Sequence, residues 1–206
     1  MRLIRYTAFA MIGLLLAVWG VAQLRPDLLA MLRGPSSSLV IPGSISVGGP
    51  FTLTDHTGRR VSDSTFRGKW MLIYFGYTFC PDVCPTELQN ISNALDLLGK
   101  DADKIVPVFI TVDPARDTVA ALADYVKLFD PRLVGLTGSD AEIAAVARAY
   151  RVFYAKADSK TATTYLMDHS SLLYLVGPDG GFRSLFRQGI APETLAKALR
   201  ARFDGS

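Results

Sequence analysis

Cysteine and histidine are scarce in this chain of 206 residues, with two of each. Two cysteines cannot staple a small disulfide framework, and standing only four positions apart they define one local site. Charge of one sign is also missing. Lys and Arg number 22 against 19 Asp and Glu, for a formal net charge of +3, and no basic run stands out. A nucleic-acid groove needs such a run, so nucleic acid is not an expected partner. Glycine, proline and aromatics are near ordinary usage, which excludes collagen-like and low-complexity classes, and no internal repeat is present. Half the residues are hydrophobic and the mean hydropathy is +0.25. Such a chain buries enough apolar surface to offset the entropy of ordering, which excludes disorder.

What is present begins with an apolar run. Residues 7–24, TAFAMIGLLLAVWGVAQL, carry no charge. As a helix these residues would reach ~27 Å, close to the ~30 Å hydrocarbon core of a bilayer. Arg2 and Arg5 precede the run, which favours an inside N-terminus, and Trp19 suits the outer interface. The run exceeds the roughly 7–15 apolar residues of a cleaved signal, so an uncleaved anchor is expected; Gly20-Val21-Ala22 offers a weak cleavage site as the alternative. Either way the remainder faces a compartment where disulfides persist. The expected organisation is an anchor and flank over residues 1–33, a Gly-, Pro- and Ser-rich linker over 34–50, and one globular domain over 51–206. Only six residues precede the apolar run, which points to a bacterial inner membrane facing the periplasm. The alternative is the mitochondrial inner membrane facing the intermembrane space.

The globular part alternates strands and helices, an α/β pattern. A short strand near residues 51–54 and its return at 59–62 flank an Asp55-His56-Thr57-Gly58 turn. The continuous apolar run at 70–75 reads as a buried central strand. Helices are expected over 86–98, 117–129, 139–150 and 192–203. Ser139 and Glu142 stand at capping-box spacing. Strands are expected over 105–112, 133–136 and 172–176, with a hairpin return at 182–186.

The chemistry concentrates directly after the central strand, in Gly76-Tyr77-Thr78-Phe79-Cys80-Pro81-Asp82-Val83-Cys84-Pro85. Pro85 suits a first helical position, which would put Cys84 at the helix N-cap, where the dipole favours a thiolate. Two converging sulfurs suit a soft metal such as copper(I) or zinc, and equally a reversible disulfide. A purely structural disulfide would close too short a loop to stabilise much. Asp82 is expected to favour the helix N-terminus more than to bind metal. Of the histidines, His56 reads as a solvated turn residue. His169, at a strand boundary beside Asp168, could complete a set of two sulfurs and one nitrogen, with Asp168 tuning the ring from behind. The motif around Cys84 echoes the peroxidatic motif of peroxiredoxins. However, the Pro and Thr or Ser that such enzymes need upstream are replaced by Tyr77 and Pro81.

The ten residues from Gly76 to Pro85 resemble the Sco/SenC family of copper-handling, cytochrome c oxidase assembly proteins. So do Thr111-Val-Asp-Pro-Ala-Arg-Asp-Thr, Tyr125-Val-Lys-Leu-Phe, Leu133-Val-Gly-Leu-Thr-Gly, Ala147-Arg-Ala-Tyr-Arg-Val-Phe-Tyr, Met167-Asp-His-Ser and Tyr174-Leu-Val-Gly-Pro-Asp-Gly, in that order. The resemblance implies a thioredoxin-like fold behind an N-terminal transmembrane helix. It implies a copper ion, as copper(I), copper(II) or both, held by Cys80, Cys84 and His169. It further implies a metallochaperone more than an enzyme, one that helps metallate the binuclear copper site on subunit II of cytochrome c oxidase. The alternative is a thiol–disulfide reductase in which Cys80 and Cys84 are the redox-active pair. Expected partners are that subunit, another periplasmic copper chaperone, a thioredoxin-like protein, and the membrane through the N-terminal helix.

Overall fold

Apolar runs bounded by turn residues become strands, and amphipathic runs become the helices that cover them. The computed structural model describes residues 38–39, 47–157 and 165–203. Its strands are β1 (Ser38–Leu39), β2 (Thr52–Asp55), β3 (Arg60–Ser62), β4 (Trp70–Gly76), β5 (Ile105–Thr111), β6 (Val134–Thr137), β7 (Tyr154–Lys156), β8 (Met167–His169), β9 (Leu172–Val176) and β10 (Phe182–Arg187). Its helices are α1 (Val83–Leu98), α2 (Val119–Val126), α3 (Asp140–Ala149) and α4 (Pro192–Phe203). Eight strands form one sheet in the order β1-β10-β9-β4-β5-β6-β2-β3, while β7 and β8 pair separately as a two-stranded ribbon.

The centre is parallel. β4 pairs with β5, and β5 with β6, through crossovers that contain α1 and α2. Every residue of β4 is buried, as an apolar strand covered on both faces requires. β9 runs antiparallel against the other side of β4, and β2 antiparallel against β6. α1 turns Cys84, Leu88, Ile91, Leu95 and Leu98 inward at helical spacing, and packs against the Leu195–Leu199–Phe203 stripe of α4. Phe75, Tyr150 and Tyr174 form a three-ring cluster with centroids 5.6–5.7 Å apart, the spacing of edge-to-face and tilted aromatic pairs. Together these contacts hold the carboxyl ends of β4 and β5 still, which is where open α/β sheets place their chemistry.

Most expected elements are present, and the differences have local causes. α1 starts at Val83, three residues earlier than expected, because Pro85 lies within the first turn, where no intrahelical N–H is needed. Cys84 is therefore inside that turn, and Asp82 takes the cap position. α2 is shorter than its apolar periodicity. Thr118 caps it by accepting from the Ala121 N–H, which leaves Asp117 outside the helix. The Ser139–Glu142 capping box forms as expected. β7 carries no apolar alternation and exists by pairing with β8. Ser38–Leu39, inside the stretch expected as linker, pairs with β10. His56 is not simply solvated: its Nδ1 accepts the Gly135 N–H at 3.2 Å. The anchor expected over residues 7–24 lies outside the described residues. Among those described, no helix is long and apolar enough to cross a membrane.

The β2–β3 turn is organised by one carboxylate. Asp55 is buried and accepts from the Thr57 hydroxyl at 2.6 Å, the Thr57 N–H at 2.9 Å and the Arg59 N–H at 3.0 Å. Burial alone would raise its pKa. The Thr57 hydroxyl, the two backbone N–H groups and the Arg59 guanidinium outweigh burial and lower it to about 2. A carboxyl depressed in the fold stabilises above its unfolded pKa and loses that contribution as pH falls toward the folded value. Asp55→Asn is therefore expected to cost about 1–2 kcal/mol at pH 7 in urea unfolding, with the gap to the parent closing as pH approaches 2. A gap of constant size across that range would show that the carboxylate's charge is not what the turn uses.

Candidate metal centre

Cys80 sits on the loop between β4 and α1, and that loop is tied down from the side. Asp117 is fully buried and its carboxylate accepts from the Thr78 N–H at 3.0 Å, the Thr78 hydroxyl at 2.6 Å and the Thr111 hydroxyl at 2.6 Å. Burial raises the Asp117 pKa, against the pull of those donors. Cys84 has no exposed surface. Its backbone N–H, one of the donors a helix start leaves unpaired, points at the Cys80 sulfur 3.3 Å away. Gly76 leaves the space that this packing needs. A Cβ there would lie 2.9 Å from the Cys84 sulfur and 2.8 Å from the Phe109 ring, so no larger residue fits without displacement.

His169 reaches the same point from the other side of the sequence. It ends β8, opposite Tyr154 on β7, and its Nε2 lies 3.4 Å from the Cys84 sulfur. The ring stands edge-on to Tyr74 and Tyr77, with centroids 6.1 and 6.0 Å away. Among the described residues, Cys80, Cys84 and His169 form the one group of three Cys, His, Asp or Glu side chains placed to share a metal ion. Their donor atoms all lie within 4.8 Å of one another. The fold thus brings together the three residues singled out in the sequence, two of them 85 positions apart. Asp168 does not serve the ring as expected. Strand alternation turns it to the opposite face, it is exposed, and the atom beside His169 Nδ1 is the Ser170 carbonyl at 3.4 Å. Asp82 is exposed and accepts from the Thr86 hydroxyl, outside the cluster.

The two thiols are unequal. Cys80 is lowered to about 3, first by a hydrogen bond from the Cys84 thiol, against burial, and then by His169 and the N–H groups of Cys84 and Asp82. Cys84 is pushed upward, first by that same bond to the Cys80 thiolate and then by burial. Cys80 is half-exposed in a cleft of about 280 Å³ lined also by Tyr77, Asp82, Met167 and His169. A larger cleft of about 510 Å³, beside His56, Lys127 and Phe129, holds none of the three. Two sulfurs and one imidazole nitrogen suit a soft ion such as copper(I), and copper(II) with a further weak ligand. The donor set, its burial and its single open side fit a bound copper ion. The supporting residues Thr78, Thr111 and Asp117 had no role assigned from sequence. The signals for them were the 111–118 motif, which carries no metal-ligating spacing, and for Thr78 its place in the Gly76–Pro85 stretch.

The family model described as SCO1/SenC matches residues 41–204. The chain is 45% identical over 159 residues to the mitochondrial SCO1 homolog of Homo sapiens, covering 76% of this chain and 53% of that one. It spans about half the length of the curated relatives it matches, 53% of the human protein and 47% of the SCO1 homolog 1 of Arabidopsis thaliana. Its fold matches Arabidopsis thaliana ScoI with copper bound at a TM-score of 0.74 and 42% identity, over 78% of this chain and 99% of that one. It matches Bradyrhizobium japonicum ScoI with copper bound at 0.70 and 50% identity, over 75% and 98%. The fold is the thioredoxin-like α/β fold of those proteins, and the chain belongs to the SCO1/SenC family.

Proposed function

We propose that this chain binds copper through Cys80, Cys84 and His169 and hands it to the binuclear copper site on subunit II of cytochrome c oxidase. The observation that carries the reading is the convergence of three soft-metal donors within 4.8 Å at one open cleft. Copper-bound relatives at 42% and 50% identity support it. In this reading residues 7–24 anchor the chain in a bacterial inner membrane, residues 34–50 tether the domain, and residues 51–206 work in the periplasm. A second periplasmic copper chaperone supplies the metal.

Capture requires both sulfurs as thiolates. Cys80 is shifted toward that form and Cys84 away from it, so capture must draw the proton chiefly from Cys84, and uptake weakens as pH falls. Release runs through ligand exchange. An incoming thiolate replaces His169, a neutral imidazole that departs without a charge-separation cost. A second incoming thiolate replaces the half-exposed Cys80, and Cys84 leaves last, taking up a proton as the ion passes to the two new thiolates. Copper(I) changes its ligands and not its oxidation state in this sequence. With the reduced chain under anaerobic conditions, copper(I) is expected to bind one per chain. His169→Ala is expected to weaken binding roughly tenfold or more, about 1.4 kcal/mol at the least. Equal affinities for parent and variant in a competition titration would remove His169 from the site.

The inequality of the thiols favours a second activity, reduction of a partner disulfide. The Cys80 thiolate attacks one sulfur of that disulfide, breaking its S–S bond and forming a mixed disulfide. Cys84 then loses its proton and attacks the Cys80 sulfur. The partner leaves as a dithiol carrying two electrons, and a Cys80–Cys84 disulfide remains for a thioredoxin-like dithiol to reduce. Iodoacetamide is therefore expected to label Cys80 and spare Cys84 in the metal-free chain. The rate should stay nearly flat from about pH 8 down to pH 5, where an ordinary thiol slows roughly tenfold per unit. Labelling at Cys84, or a rate that tracks an ordinary thiol, would remove Cys80 as the nucleophile.

A further inference from the structure

His169 is carried by a ribbon that shares no backbone ladder with the main sheet. One end of that ribbon is held by the chain itself, since β9 begins three residues after His169 and pairs with β4. The other end, entering at Tyr165, is tied within the ribbon by the Ala157 N–H to the Leu166 carbonyl and by Lys156 over the Tyr165 ring, and meets the β5 side through Arg116 and Asp113. Arg116 leaves the loop after β5 and ion-pairs with the buried Asp113. Its Nη1 donates to the Tyr165 carbonyl at 2.9 Å. Its guanidinium lies 3.7 Å from the centre of the Tyr165 ring and 4.7 Å from that of Phe79, the residue directly before Cys80. The Tyr165 hydroxyl closes the loop by donating to Asp113 at 2.8 Å. One guanidinium thus touches the entry to the His169 strand on one side and the Cys80 loop on the other.

From this geometry we infer that Arg116 is a positioning residue for metal capture. It latches the His169 ribbon to the cysteine loop, so that the imidazole is presented to both sulfurs before the metal arrives. The cation is suited to the task in two ways. It stacks on two aromatic faces at once, and its planar fork pairs with a carboxylate and a carbonyl in fixed directions. Lysine offers the charge without the fork. This inference rests on the copper reading for its purpose but not for its geometry.

The test uses the full chain with Arg116→Met, which keeps an apolar stem, together with Arg116→Lys and Tyr165→Phe. In the metal-free parent, nuclear Overhauser contacts are expected between the His169 and Tyr77 rings. They are expected to weaken in Arg116→Met, with Arg116→Lys intermediate. Copper affinity is expected to fall roughly 10- to 100-fold in Arg116→Met, the usual scale for supports of a metal ligand. Nitrogen coupling from the imidazole should be lost from the copper(II) resonance spectrum. In a double-mutant cycle the losses from Arg116→Met and His169→Ala should not add, because both remove the same ligand. Unchanged ring contacts with unchanged nitrogen coupling, or fully additive losses, overturn the latch. If Arg116→Met fails to fold, Arg116→Lys and Tyr165→Phe carry the same two readouts. A parent chain that takes up no copper would overturn the reading of function, and the metal-free ring contacts would still decide the latch.

Discussion

The Cys84 sulfur has nowhere to go, and the rest of the site is arranged around that fact. It is enclosed by the last residue of β4, the Phe109 and Tyr74 rings and the first turn of α1, and only a glycine at position 76 leaves it room. A sulfur fixed in this way acts as a reference point. Cys80 is set against it by the hydrogen bond from the Cys84 N–H, and His169 by its 3.4 Å approach. Close packing of a protein interior makes such a reference cheap to maintain. The rings that confine the sulfur are core residues whose burial stabilises the fold in any case, by about 1.5–3 kcal/mol per large side chain.

Fixing one thiol and exposing the other divides their work. The buried thiol keeps its proton, because a thiolate there would face both desolvation and the charge of its neighbour. The half-exposed thiol gives up its proton early, because the donors around it are wasted unless it is charged. The outcome is a site whose inner ligand is slow to leave and whose outer ligands, Cys80 and His169, face the cleft. Either proposed activity, metal transfer or disulfide exchange, would draw on the same asymmetry, since each needs one accessible sulfur that starts the step and one sheltered sulfur that finishes it.

Much of this was legible in the sequence, for reasons that can be stated residue by residue. The run at residues 70–75 could only be a buried strand, and a cysteine pair directly after it had to lie at the carboxyl edge of the sheet. The Ser139–Glu142 spacing set its helix start to the residue. His169 was legible through its scarcity and through the resemblance of its motif, because nothing in local pattern joins it to cysteines 85 positions away. What the sequence hid has a common character. Asp117 reads as an ordinary first-turn residue of a helix until Thr78 and Thr111 are seen to donate to it. The β7–β8 pairing is set by the partner strand and not by its own alternation. Asp168 looked like a support for the ring because it is adjacent in sequence, and adjacency on a strand means opposite faces.

The segment after β5 gathers these hidden roles into one device. Within five residues, Asp117 holds the cysteine loop through Thr78, while Asp113 and Arg116 hold the entry to the histidine strand through Tyr165. The two attachments differ in kind. Asp117 is fully buried and makes three hydrogen bonds to neutral donors, a rigid joint whose loss would leave polar groups stranded in the core. Arg116 is partly exposed; it keeps its ion pair with the buried Asp113 and holds the ribbon by stacking and one carbonyl, contacts that can open while that pair stays closed. The proposed grip and release of an ion would call for such a division. The sulfurs stay where the core puts them, and the imidazole is the ligand whose support can yield.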